Sequence, residues 1–181
     1  SNCGYLRLGQ IVGLNNVIET AHALGVSADL EAVPSLPLGV FNITPLEMAA
    51  AYAAIANDGV YNAPYFIERV EDRFGNVIYE HEPTPSRAIS VQSARLVTSV
   101  LADNVRSGTG TRAQLANQVA AGKTGTAQDF GDAWFVGYTP YLATAVWMGN
   151  PEFRIEMRNV GGRNVTGGSY PAMIWGQFNT G

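Results

Sequence analysis

One short run gathers the side chains best suited to chemistry: Gly122-Lys123-Thr124-Gly125-Thr126. In an extended strand, successive side chains alternate between faces, so Lys123 and Gly125 point one way and Thr124 and Thr126 the other. A cation next to a glycine sets positive charge beside backbone that no side chain covers. With two hydroxyls beside it, such a unit can hold an extended, anionic ligand by its backbone and its carboxylate. The same residues would also make an ordinary solvated strand with one lysine. A three-residue match of this kind arises by chance in roughly a few per cent of chains of ordinary composition.

Other candidate groups point away from chemistry. Cys3 is the only cysteine, which excludes an intrachain disulfide. His22 and His81 lack metal-ligand spacing, so neither a metal nor a cofactor is expected. The glycine-rich stretches lack the strand-to-helix setting and the closing Lys-Ser/Thr of a phosphate loop. Asp132 precedes a predicted strand and reads as a capping or pairing group, Glu47 belongs to a helix start, and Trp134, Trp147 and Trp175 alternate with core-like residues. A net charge of -4 without a run of Lys or Arg excludes a nucleic-acid surface. Apolar residues at 46% and charged residues at 14% can fill a core, and 181 residues suit one domain or most of a larger one.

The elements that must position the Lys-Thr-Gly run follow from periodicity. A helix is expected over residues 5–24, interrupted near Gly13 and stopped by Gly25. Thr44, Pro45 and Glu47 have the spacing of a capping box with proline at the first helical position, opening a small-residue helix that ends near Gly59. Residues 65–70 and 77–80 read as two strands around a turn. Ser90 caps a helix whose apolar positions are Ala94, Val97, Leu101 and Val105. Strands are expected over 119–127, 133–138 and 143–148, then a glycine-rich stretch and a last helix over 170–178. Helices followed by an antiparallel sheet closed by a terminal helix make an α+β arrangement.

Lys-Thr-Gly, with Ser-x-x-Lys and Ser-Asp-Asn, marks penicillin-binding proteins and class A β-lactamases. Around it lie Asn42-Ile43-Thr44-Pro45-Leu46-Glu47-Met48-Ala49, Gly108-Thr109-Gly110-Thr111, Asp132-Ala133-Trp134-Phe135-Val136-Gly137-Tyr138-Thr139-Pro140 and Thr166-Gly167-Gly168-Ser169-Tyr170-Pro171-Ala172. In order and spacing, over essentially the whole chain, these segments resemble the transpeptidase domain of class A penicillin-binding proteins, the bifunctional peptidoglycan synthases. The resemblance implies an antiparallel sheet flanked by helices, of the penicillin-binding transpeptidase and serine β-lactamase kind. It implies that this fold is incomplete here, with residues 1–181 forming the C-terminal part of one domain.

The opening Ser1-Asn2-Cys3-Gly4-Tyr5-Leu6-Arg7-Leu8 resembles the tail of the family's Ser-x-Asn motif. In the preferred register Asn2 is the motif Asn and the motif Ser precedes the chain, which puts the following helix in its usual place. In the competing register Ser1 is the motif Ser and Cys3 stands where Asn belongs. No Ser-x-x-Lys occurs in a suitable place, so the acylated serine and its lysine are expected upstream, and the isolated chain is expected to be inactive.

The resemblance implies a serine acyl-enzyme that cross-links D-Ala-D-Ala stem peptides and is blocked by β-lactams. Lys123 would hold the terminal carboxylate and help relay a proton. Thr124 and Thr126 would bind that carboxylate, and the Thr126 N–H would serve the oxyanion hole. Gly125 would keep the face open, and Asn2 would bind the substrate's amide. The expected partners are the stem peptide, β-lactams, the nucleophile-bearing half of the domain and a glycosyltransferase domain in the parent. The expected place is outside the cytoplasm, anchored by a membrane segment beyond this chain. Two other readings stand beside it: a β-lactamase or D,D-carboxypeptidase relative, and a non-catalytic penicillin- or peptidoglycan-binding module.

Overall fold

The computed structural model describes residues 2–180. The N-terminal helical stretch is broken as expected: α1 covers Asn2–Val12 and α2 covers Leu14–Ala23, with Gly13 between them at φ 93°. That left-handed backbone suits glycine and stops the helix without a long loop. α1 packs on a single 3-10 turn, Leu36–Leu38.

The α3 helix, Pro45–Ala56, begins with the predicted capping box. The Glu47 carboxylate accepts the backbone N–H and hydroxyl of Thr44 at 2.9 and 2.7 Å, and those of Ser27 at 2.8 and 2.6 Å. Glu47 thus joins the segment after α2 to the start of α3. Four donors hold its carboxyl down from the ordinary 4.5 to about 2, the Ser27 and Thr44 hydroxyls contributing most.

Four short strands follow. β1 (Val60–Tyr61) pairs with β4 (Ser86–Arg87), and β2 (Arg69–Glu71) pairs with β3 (Val77–Glu80). The β2–β3 turn is held by Asp72, whose carboxylate accepts the N–H groups of Phe74 and Asn76 at 2.7 and 2.9 Å. β2 is shorter than the strand expected over 65–70: the ladder to β3 covers 69–71, while ahead of it the Glu68 carbonyl accepts the His81 N–H at 2.7 Å and Tyr65 stacks on the His81 ring.

α4 spans Val91–Ser107 and is capped by Ser90. Ala94, Leu101 and Val105 are buried as expected, but Val97 is 38% exposed. Thr98 takes the inward position instead, its hydroxyl 2.8 Å from the Ala94 carbonyl and 2.7 Å from the Tyr138 hydroxyl. Both 97 and 98 flank the helix stripe, and the buried phenol favours the neighbour that can hydrogen-bond it.

The central sheet is β5-β6-β7, antiparallel throughout: Ala121–Thr126, Asp132–Tyr138 and Ala143–Gly149. β5 is two residues shorter at its start than predicted, and Val119 lies exposed ahead of it. Registry sorts the faces. Lys123, Gly125, Val136, Trp134, Ala145 and Trp147 share one, and Thr124, Thr126, Phe135, Ala133, Val146 and Met148 the other.

α3 covers the end of the first face, where Tyr52 meets Tyr138 edge-on at 6.3 Å and Leu101 and Ala121 join them. α5, Tyr170–Thr180, covers the second. There Phe135 meets Trp175 edge-on at 5.3 Å, both fully buried, and the Trp175 indole N–H donates to the Thr144 carbonyl at 3.0 Å. Burying one such ring stabilises by about 1.5–3 kcal/mol. The result is a three-layer helix–sheet–helix unit, with α4 along the first half of β5. Among the described residues no helix is long and apolar enough to cross a membrane.

Because the folded pKa of Glu47 lies below its unfolded value, its stabilisation is complete above about 4.5 and is lost as pH falls towards about 2. Glu47→Gln is therefore expected to lower the melting temperature at neutral pH and to flatten its decline across that acid window. Thermal unfolding of both proteins from pH 2 to 7 checks this.

Candidate active site

β5 is the edge strand of its sheet, and its ladder to β6 decides which groups it offers outward. The Ala127 N–H donates to the Asp132 carbonyl at 2.9 Å. Backbone groups alternate sides along a strand, so the Thr126 N–H points to the opposite, open edge. The carbonyls of Gly122 and Thr124 point there too, one accepting Asn104 Nδ2 and the other Lys123 Nζ, each at 2.8 Å. An outward N–H beside a lysine ammonium at a sheet edge can hold an anion.

Lys123 is the only lysine of the chain. Its side chain folds along the strand to reach the Thr124 carbonyl. Lys123 is exposed as a whole, but its ammonium lies back against the strand, and the desolvation of the charged form there holds it below the usual lysine value.

Gly125 lies directly opposite Trp134, and a Cβ added to it would sit 3.2 Å from the Trp134 Cβ. A side chain at 125 would therefore crowd a cross-strand tryptophan, and glycine leaves the backbone bare there. Trp134 in turn lies 6.2 Å from Trp147, whose indole N–H donates to Asp132 at 2.9 Å. That bond occupies Asp132 structurally, and both indoles are half-buried packing groups.

The two threonine hydroxyls have different partners. Thr126 Oγ1 accepts the Gly167 N–H at 3.0 Å, so its own proton is free to donate. Thr124 Oγ1 lies 2.6 Å from Thr109 Oγ1 in the loop after α4. Gly167 seats the 166–169 loop on the strand. A Cβ there would fall 2.2 Å from the Trp134 carbonyl oxygen and 2.5 Å from that of Gly125, both backbone atoms that cannot swing aside. The Thr166-Gly167-Gly168-Ser169 run has no role that its sequence alone indicates. Its signal is a glycine at the one position where a side chain would lift the loop off β5.

The structure gathers Lys123, Thr124, Gly125 and Thr126 on one strand, as β pairing requires. Asn2 opens α1, is exposed, and has no hydrogen bond to β5 among the described residues; Ser1 lies outside those residues. Among the described residues no group of His, Cys, Asp and Glu could hold a metal ion. A cavity of about 200 Å³ between Asn62, Tyr65, His81 and Thr84 shares no residue with β5.

Residues 3–158 match the family described as penicillin binding protein transpeptidase domain. Penicillin-binding protein 1A of Aquifex aeolicus is 34% identical over 174 residues, 96% of this chain and 23% of that protein. Penicillin-binding protein 1B of Vibrio cholerae is 37% identical over 154 residues, 83% of this chain and 20% of that protein. The solved structure of PonA1 from Mycobacterium tuberculosis with penicillin V superposes at a TM-score of 0.85 and 28% identity, covering 94% of this chain and 50% of that one. The chain thus spans about a fifth to a quarter of these curated relatives.

As the chain's only lysine, Lys123 can be followed alone after reductive ¹³C-methylation, apart from the terminal amine. Its NMR titration midpoint is expected below that of the same dimethylated lysine in a short unstructured peptide. A midpoint at or above the peptide's would show that the ammonium is not desolvated.

Proposed function

Since this chain belongs to the penicillin-binding protein transpeptidase domain family, we propose that it supplies the Lys-Thr-Gly half of a serine D,D-transpeptidase site. Residues 1–181 would form the C-terminal part of one such domain. A Ser-x-x-Lys ending on the only lysine would need serine at position 120, where alanine stands, so in this reading the nucleophile would come from outside this chain. The observation that carries the reading is the pairing of an outward Thr126 N–H with the free Thr126 hydroxyl proton and the Lys123 ammonium on one open strand edge.

The chemistry follows from those groups. A serine hydroxyl, once a neighbouring base takes its proton, attacks the carbonyl of a terminal D-Ala-D-Ala bond. The carbonyl oxygen gains negative charge, and the Thr126 N–H stabilises it; losing one such donor costs about 3 kcal/mol of barrier. Lys123 and the threonine hydroxyls hold the terminal carboxylate, which fixes the peptide along β5. Gly125 leaves bare backbone beside the lysine, and Asn2 would bind the acyl-side amide once the missing half completes the cleft. Terminal D-Ala leaves with a proton, and a stem-peptide amine then attacks the acyl-enzyme to form the cross-link. A β-lactam carries a comparable carboxylate and strained amide, and it would stop at the ester; the PonA1 complex with penicillin V is consistent with that. Such a protein would work outside the cytoplasm, held to the membrane by a segment beyond this chain and joined to a glycosyltransferase domain.

In the full-length protein, Lys123→Ala is expected to slow penicillin acylation roughly 10- to 100-fold, the scale of a hydrogen bond to a charged group. Stopped-flow labelling with a fluorescent penicillin measures it, and an unchanged rate would remove Lys123 from the site. The isolated chain is expected to take no covalent penicillin, as intact-mass spectrometry would show. Rapid turnover of the label in the full-length protein would instead favour a β-lactamase or carboxypeptidase.

A further inference from the structure

The two hydroxyls of Thr-Gly-Thr are wired differently, and the difference starts on α4. The Asn104 carboxamide bonds in three directions. Oδ1 accepts the Thr109 N–H at 3.1 Å and the Thr109 hydroxyl at 3.0 Å, and Nδ2 donates to the Gly122 carbonyl at 2.8 Å. Turning the amide over would set donor against donor and acceptor against acceptor, so its orientation is settled by the network. Both glycines of the Gly108-Thr109-Gly110 loop are shaped around it: a Cβ at 108 would fall 2.5 Å from Oδ1, and one at 110 would fall 3.0 Å from Nδ2.

A hydroxyl has one proton. Oδ1 can only accept, so the Thr109 proton goes to Asn104, and the 2.6 Å contact between Thr109 and Thr124 must use the Thr124 proton. At rest the chain runs Thr124 to Thr109 to Asn104. For Thr124 to donate to a carboxylate, both protons must turn, so that Thr109 donates to Thr124 and Thr124 to the ligand. Asn104 Oδ1 then keeps the Thr109 N–H. A hydroxyl that receives a hydrogen bond is a stronger donor, so Thr109 reinforces the bound arrangement.

We propose that Asn104 and Thr109 are positioning residues for the ligand carboxylate, acting through the Thr124 hydroxyl. This rests on reading β5 as a carboxylate-binding strand. Neither side chain needs to touch the ligand.

The test uses the full-length protein and compares acylation by penicillin V with acylation by its methyl ester, which lacks the anion. Asn104→Ala and Thr109→Val are each expected to slow the acid about tenfold and the ester less than about twofold. Because the two act as one chain, the double variant should slow the acid no more than either alone. Thr109→Ser, which keeps the hydroxyl, should restore the preference for the acid. Equal losses on acid and ester, or acid losses that multiply in the double variant, would overturn the proposal. If Asn104→Ala does not fold, the Thr109→Val and Thr109→Ser pair decides. Lys123→Ala separates the two levels. If it leaves the acid preference intact, the carboxylate reading of β5 fails. If it removes that preference while the Asn104 and Thr109 variants keep it, only this relay fails.

Discussion

From Ala121 opposite Tyr138 to Thr126 opposite Ala133, β5 is paired residue for residue with β6 on one side only. Because a strand's backbone groups alternate, that single ladder commits half of them to the sheet and turns the other half outward. The carbonyls of Gly122 and Thr124 and the N–H of Thr126 fall in the outward half. One step of slippage would exchange the two sets and send Lys123 to the face that α5 covers. The rest of the structure serves to prevent that slip. Phe135 and Trp175 pin β6 from one side, Tyr52 and Tyr138 from the other, and Asn104 ties the start of β5 to α4.

The layers around the sheet differ in what they do for the site. α5 closes the second face, and the loop before it sets the hydrogen bonding of β5, since the Gly167 N–H occupies one lone pair of Thr126 and leaves its proton free to donate. α4 gives its apolar stripe to the core and its last turns to the Gly-Thr-Gly-Thr loop. The β2–β3 hairpin packs mainly on itself. Sites of this kind gain from rigid supports, because a hydrogen-bond donor misplaced by an ångström loses most of its value.

Much of this was legible from local rules. The break at Gly13, the box made by Thr44, Pro45 and Glu47, the Ser90 cap and the three strands around Lys123 all follow from short-range sterics and periodicity. The order of motifs was enough to indicate the family. Errors arose where a distant partner decided. Position 98 rather than 97 turned inward because Tyr138, forty residues on, needed a hydroxyl partner. Residues 65–68 stayed out of the strand because Tyr65 and Glu68 meet His81 by a ring stack and a single backbone bond rather than by a continuing ladder.

What the sequence determined by itself was the set of groups on β5 and the alternation of their faces, since both depend only on residue identity and extended backbone. Tertiary structure alone decided how each group is used. Gly125 confronts Trp134, Asp132 is engaged by an indole, and Thr124 and Thr126 differ in their free protons because one meets Thr109 and the other Gly167. A hydroxyl's role depends on which neighbour takes its one proton, and those neighbours lie 15 and 41 residues away along the chain. No local pattern carries that information, because contact between them exists only once the helices have closed on the sheet.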